Sequence, residues 1–234
     1  MPARSTRSRR AFWALSALAV AVVAVLAWGA AEPSQQGGPA PGQRADATGE
    51  KLKSFQRRQA DDPYALGRVD APVVMIQYED YRCPYCAKFN RDVEPQLIDR
   101  YVRSGVLRIE WRDFQKQGGQ SVEVAEAARA AARQGRFWQF HDAAYAASDG
   151  SNKPDFPPER VLDLARAAGV PDLERFNADR ADPRIAQEIA ADQDEARAAG
   201  LPTTPAFLIN GQAVLGDQPL DQFQSTIDSE RGKA

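Results

Sequence analysis

Two cysteines stand three positions apart in "YRCPYCAK", residues 81–88, and the 234-residue chain has no others. A pair at this spacing can be half of a metal site, a structural disulfide or a redox couple. A closed zinc site needs four ligands, and the chain offers one histidine, His141, and no third cysteine. So short a closed loop removes little unfolded-state entropy, which makes an inert staple a weak reading. Dithiol–disulfide chemistry fits the local context best. The pair follows an apolar strand and opens a helix, so Cys83 is expected exposed at the first turn. Unpaired N–H groups and the helix dipole there stabilise a thiolate, while Cys86 lies one turn deeper. Pro84 costs no hydrogen bond at an early helical position and pre-sets the backbone. An attacking thiolate and a resolving thiol within disulfide reach are what the exchange requires.

A second stretch, "GLPTTPAFLING" at 200–211, places Pro205 immediately before an apolar run. A proline cannot serve as a central ladder residue. It either starts the strand or is cis in a tight turn. In the cis case, facing the cysteines, Thr204 would offer backbone groups to an extended substrate chain.

The elements that must position these residues follow from periodicity. "VVMIQYE", 73–79, is β-branched and densely apolar, as in a strand buried on both faces. "AKFNRDVEPQLIDRYVRSG" has apolar residues at helical spacing, with a kink expected at Pro95 and a stop at Gly105. "VLRIEWRDF", 106–114, alternates Val106, Arg108 and Glu110 against Leu107, Ile109 and Trp111. Strand, helix and strand in about forty residues form a βαβ unit with a right-handed crossover. Helices are then expected over 121–135, 137–148, 157–169, 172–180 and 183–200. A hairpin, 206–210 and 213–216, turns at Asn210-Gly211, and a helix follows Pro219. His141 lies among Phe137, Trp138, Phe140 and Tyr145 and is read as a structural histidine. These aromatic residues are read as that helix's core.

The N-terminus bears on compartment. Arg4, Arg7, Arg9 and Arg10 precede "AFWALSALAVAVVAVLAWGA", 11–30, which carries no charge. As a helix this spans roughly 30 Å, the thickness of a hydrocarbon core. Residues 1–10 are expected in the cytoplasm and the C-terminal part outside. An uncleaved anchor is the favoured reading; a signal peptide cut near "GAA", 29–31, is the alternative. Residues 31–60 read as a flexible linker. The four arginines contribute +4 to a formal net charge of −2, so the remainder carries about −6, which argues against a nucleic-acid surface. No internal repeat is present.

The stretches "DDPYALGRVDAPVVMIQYEDYRCPYCAKF", "WRDF", "FWQFHDAAYA" and "GLPTTPAFLINGQAVLG" together resemble the DsbA-like thioredoxin-fold oxidoreductases, of the membrane-tethered kind found in Gram-positive and actinobacterial lineages. The resemblance implies an α/β class: a thioredoxin-like domain from 61–118 and 200–232, interrupted by an inserted helical domain, 119–199. It implies that Cys83 is the nucleophile, Cys86 the resolving thiol, Pro84 and Tyr85 the tuning dipeptide, and Pro205 a cis-proline preceded by Thr204. Implied partners are unfolded or partly folded secreted proteins and a membrane redox partner, with no metal or organic cofactor. The alternatives are a reductase or isomerase, or a binding or chaperone domain with a permanent disulfide. One departure stands out. The family often carries a buried acid six residues before the first cysteine, where this chain has Gln77. Gln77 cannot titrate, so proton handling at this position falls to the nearby Glu79 and Asp80, whose alternative reading is as solvated acids at the loop edge. The dipeptide also lacks histidine, which implies a less oxidising couple.

Overall fold

The computed structural model describes residues 48–148 and 152–233. The expected cytoplasmic n-region, the apolar span at 11–30 and the expected linker up to residue 47 lie outside the described residues. Among the described residues, no helix is long and apolar enough to cross a membrane.

Five strands form one sheet in the order β1-β3-β2-β4-β5. They are β1 (Ala65–Leu66), β2 (Val73–Glu79), β3 (Leu107–Asp113), β4 (Ala206–Ile209) and β5 (Gln212–Leu215). β2 and β3 pair in parallel from Val73↔Leu107 to Glu79↔Asp113, as the βαβ reading requires, and β4 joins β2 antiparallel. The hairpin turns where expected. Asn210 and Gly211 both have positive φ, 45° and 89°, the combination a two-residue type I′ turn demands. β1 was not anticipated, because two residues are too few to show a period.

Between β2 and β3 the chain forms α1 (Pro84–Asp92), α2 (Glu94–Leu97) and a π-helical turn, Ile98–Val102. The expected single kinked helix is therefore broken at Val93. Pro95 supplies no N–H to the preceding turn, and the widened turn afterwards absorbs the mismatch. Five helices separate β3 from β4: α3 (Gly119–Ala132), α4 (Phe137–Ala146), α5 (Pro158–Ala167), α6 (Leu173–Arg180) and α7 (Pro183–Ala198); α8 (Leu220–Arg231) closes the fold.

β2 is buried on both sides, and its alternate residues feed two different cores. Val73 and Met75 pack with Phe89, Phe207, Phe223 and Ile227 beneath α1 and α8, whereas Val74, Ile76 and Tyr78 pack with Leu208, Ala196 and Leu201. A third core gathers Tyr81, Trp111 and the small faces of α3 and α4 around the two cysteines.

Alternation in β3 does not mark a solvent face. Arg108, Glu110 and Arg112 are all buried. Glu110 accepts from the backbone N–H of Arg57 and Arg58 at 3.0 and 2.8 Å and pairs with Arg108 at 2.9 Å and Arg112 at 3.1 Å; Arg112 in turn meets Glu195 of α7 at 2.9 Å. Burial alone would push the Glu110 carboxyl up, but those N–H groups and guanidinium groups hold it below the usual range. This corrects the far end of the expected linker as well. Residues 48–53 make a helical turn, and 55–58 lie against the sheet, because β3 has buried charges that need them.

Candidate active site

Tyr78 and Glu79 end β2, a turn closed by the 2.9 Å bond from Cys83 N to Asp80 O follows, and Cys83 becomes the N-cap of α1. Its backbone is extended, φ −82° and ψ 119°, with Pro84 at the first helical position and no side-chain cap. This is the local arrangement expected from the spacing. Both cysteines are free thiols here.

The exposure expected of Cys83 needs correction. The residue is only 2 % exposed. Thr204 comes directly against it, with Sγ donating to the Thr204 carbonyl oxygen at 3.4 Å. The sulfur is met through a cavity of about 410 Å³ lined by Cys83, Pro84, Tyr85, Lys116, Gln117, Lys153, Thr203 and Thr204. The Thr204–Pro205 peptide bond is cis, which resolves the alternative left open for this proline. Tyr85 is 60 % exposed on the rim.

The two thiols are driven apart in acidity. The Cys83 thiol is lowered to about 6, chiefly by a hydrogen bond from Cys86, against the opposing effect of burial; Thr204's side chain and the N–H groups of Cys86 and Tyr85 add to the lowering. The helix start therefore contributes, but the partner thiol contributes more than the sequence suggests. Cys86 is fully buried, and desolvation, the bond it donates and the nearby Glu79 carboxylate push it well above the ordinary thiol range.

The acids behind the cysteines also depart from expectation. Glu79 and Asp80 are buried, not solvated. Glu79 shares the face of Gln77 because both are two residues apart on β2, and α1 covers that face. Desolvation first, and then the Glu94 carboxylate, raise the Glu79 carboxyl well above its usual range. Asn90 donates to Glu79 at 2.5 Å, and the Tyr145 hydroxyl reaches toward the same carboxylate without completing an aligned bond. Gln77 at the family's usual acid position donates to Glu94 at 2.9 Å. Asp80 instead accepts backbone N–H groups from Lys116, Gln117 and Arg82, so it shapes the loops and does not face Cys86 as a free acid.

His141 is buried between Trp111 and Tyr145, with ring centroids 5.1 and 5.0 Å away, and its Nδ1 lies 2.9 Å from Asp142 Oδ1. It is packed, as read from the sequence. Among the described residues no group of acids, histidine and cysteines could hold a metal ion. Three contributors escaped sequence reading: Asn90, Tyr145 and the loop carrying Lys116 and Gln117. Asn90 was open to discovery, since it stands four residues after Cys86 on the same helical face. The other two are brought in by tertiary packing.

Comparison with known proteins agrees with this geometry. A family model described as Thioredoxin matches residues 59–229. The chain is 27 % identical over 173 residues to the probable disulfide bond formation protein D of Bacillus anthracis, covering 72 % of this chain and 78 % of that protein. It is 32 % identical over 171 residues to the Na(+)/H(+) antiporter NhaA 3 of Salinispora tropica, 72 % of this chain but only 25 % of the antiporter, so the chain spans about a quarter of that relative's length. The crystal structure of oxidised BdbD from Bacillus subtilis superposes with a TM-score of 0.67 at 23 % identity, covering 72 % of this chain and 92 % of that one, and shows the shared fold.

Proposed function

The chain belongs to the thioredoxin family, and from that premise we propose that it is a DsbA-like thiol–disulfide oxidoreductase acting outside the membrane through Cys83 and Cys86. The observation that carries the reading is the placement of the two thiols: Cys83 caps α1 at the cavity and against the Thr204 carbonyl, and Cys86 is fully buried one turn in, which drives their acidities apart. A passive crosslink has no need of that asymmetry. The printed name of the Bacillus anthracis relative, a disulfide bond formation protein, supports the same chemistry.

In the oxidising direction a substrate thiolate attacks Cys83 Sγ of the 83–86 disulfide. The old S–S bond breaks, a mixed disulfide forms, and Cys86 leaves with the electron pair. A second substrate thiolate then attacks the substrate sulfur and expels Cys83 as a stabilised thiolate. Two electrons have entered the protein and the substrate holds a new disulfide. Cys86 is a poor leaving group unless it receives a proton as it departs, because burial disfavours its anion. Glu79, buried beside it with a raised carboxyl, is the group we assign to deliver that proton, in place of the acid absent at Gln77. Pro84 and Tyr85 tune the couple, and Thr204 with cis-Pro205 holds an extended substrate chain against the sulfur. The five helices α3–α7 act as the inserted helical domain, residues 11–30 tether the domain to the membrane, and a membrane protein returns the couple to its disulfide. Unfolded or partly folded secreted proteins are the substrates.

The residues between the cysteines also favour a second reading of direction. The dipeptide Pro84-Tyr85 between the cysteines carries no histidine, so no imidazolium stands beside Cys83, as expected for a milder oxidant, reductase or isomerase. The reduction potential decides. A value near −120 mV supports the oxidase and one near −270 mV the reductase. Loss of exchange activity in Cys83→Ser is expected in both cases; an unchanged rate in that variant would remove the enzymatic reading altogether.

A further inference from the structure

Two loops frame the cavity above Cys83, and buried groups hold them there. Asp80 accepts from Lys116 N at 2.7 Å and Gln117 N at 2.9 Å through one oxygen, and from Arg82 N at 2.8 Å through the other. Arg82 then reaches outward, donating to Pro154 O at 2.9 Å and Gln117 O at 3.0 Å, with Asp155 3.7 Å from its other amino group. A carboxylate and a guanidinium, both within three residues of Cys83, thus tie two distant loops to the start of α1.

That scaffold presents positive charge. Lys116 and Lys153 are exposed and line the same cavity as Cys83, Tyr85, Thr203 and Thr204, whose lining contains no carboxylate. Neither lysine forms an ion pair among the described residues, whereas Lys88 and Lys233 pair with Asp217 and Glu230. The Lys116 ammonium stands over the Phe114 ring at 4.8 Å, a neutral partner that leaves its charge unspent. Asp155 is turned to Arg82, and the Asp80 carboxylate is consumed by loop N–H groups. Among the described residues, two cations without an acidic partner thus line the cavity that opens on Cys83.

We propose that the cavity above Cys83 selects substrate segments bearing a carboxylate beside the reacting cysteine, with Lys116 and Lys153 as the specificity-determining residues. The inference rests on the oxidoreductase reading above. A carboxylate next to the substrate cysteine gains two attractive partners as its sulfur approaches Cys83, and a lysine there meets repulsion. Both effects sit at solvent-exposed positions, so each is modest and screened by salt.

Single-turnover oxidation by the full-length oxidised protein tests this with three dithiol peptides of equal length, carrying Asp, Asn or Lys next to the first cysteine. Each turnover moves two electrons from the peptide thiols to the 83–86 disulfide and releases the peptide as its own disulfide. The Asp peptide is expected to react about fivefold faster than the Lys peptide at low salt, the size of two exposed ion pairs. In Lys116→Gln/Lys153→Gln that ratio should collapse toward its value for exchange with a small disulfide in solution, and added salt should compress it in the unsubstituted protein alone. Referring each peptide to that solution rate removes the effect of its own charge on its thiol. An Asp-to-Lys ratio that the double substitution leaves unchanged overturns the proposal while the oxidoreductase reading stands. Failure to oxidise even the Asn peptide overturns that reading and this inference with it.

Discussion

Asn90 joins Glu79 to Cys86: one side-chain nitrogen donates to the Glu79 carboxylate at 2.5 Å and to the Cys86 carbonyl at 2.9 Å. The buried acid is thereby registered against the helix turn that carries Cys86. A shift of either would break a bond that burial makes costly to lose.

Glu79→Gln should slow departure of Cys86 during formation of the mixed disulfide. The expected loss is about 100-fold near neutral pH, the low end of the range for removing a positioned acid–base group. Stopped-flow measurement across pH separates this from a structural effect, because the loss should shrink as bulk acid takes over protonation. A uniform loss at all pH values would count against the role.

The Cys83 thiolate should appear with a midpoint near pH 6 in ultraviolet absorbance of the reduced protein, with no second thiolate through the ordinary thiol range, because Cys86 is raised. Cys86→Ala removes the largest cause of the lowering, so the midpoint should move upward. A midpoint that stays put would mean that the helix start alone sets it.

The same shifts make stability depend on pH. Cys83 is depressed from an unfolded value of about 8.5, so the folded, reduced chain binds fewer protons between roughly pH 6 and 8.5. Its contribution is fully present above the unfolded value and fades as pH falls through about 6. Cys86 has the opposite sign: its contribution is present below the unfolded value and is lost as pH rises toward its raised one. Denaturant unfolding of the reduced protein, relative to the oxidised one, should therefore gain stability from pH 6 to 8 by at most about 1.4 kcal/mol per unit.

Arg129→Met should cost about 3–5 kcal/mol. Its guanidinium pairs with Asp113 at 2.6 Å and with Asp192, both buried, and removal leaves Asp113 without a cation and Asp192 held by Arg57 alone. Burial already raises the Asp113 carboxyl, and the Asp192 charge adds to it. Denaturant midpoints should show the loss, and pairing the substitution with Asp113→Asn should recover part of it.

Asp80→Ala should cost about 2–3 kcal/mol by leaving three backbone donors near the cysteines without their acceptor. Hydrogen exchange should quicken at Lys116 and Gln117 specifically. Protection unchanged at both amides would show that the loop is held by Arg82 alone.

Local signals were enough for much of this protein. The dense apolar run at 73–79, the cysteine pair behind it and Pro84 between the cysteines place Cys83 at a helix start whatever surrounds them. Asn210-Gly211 dictates its hairpin turn through backbone conformation, and the order of strands and helices follows from short-range periodicity. What those signals could not supply was the fate of charge. Arg108 and Glu110 alternate with apolar residues along their strand and are nonetheless buried, because residues 57–59 arrive to partner them. Glu79 and Asp80 read as solvated edge acids and are enclosed, because α1 folds over one and the loop at 116–117 closes on the other. Cys83 itself is sheltered by Thr204, 121 residues away in the chain. Whether a side chain keeps its water depends on which distant segments arrive above it, and its acidity follows from that.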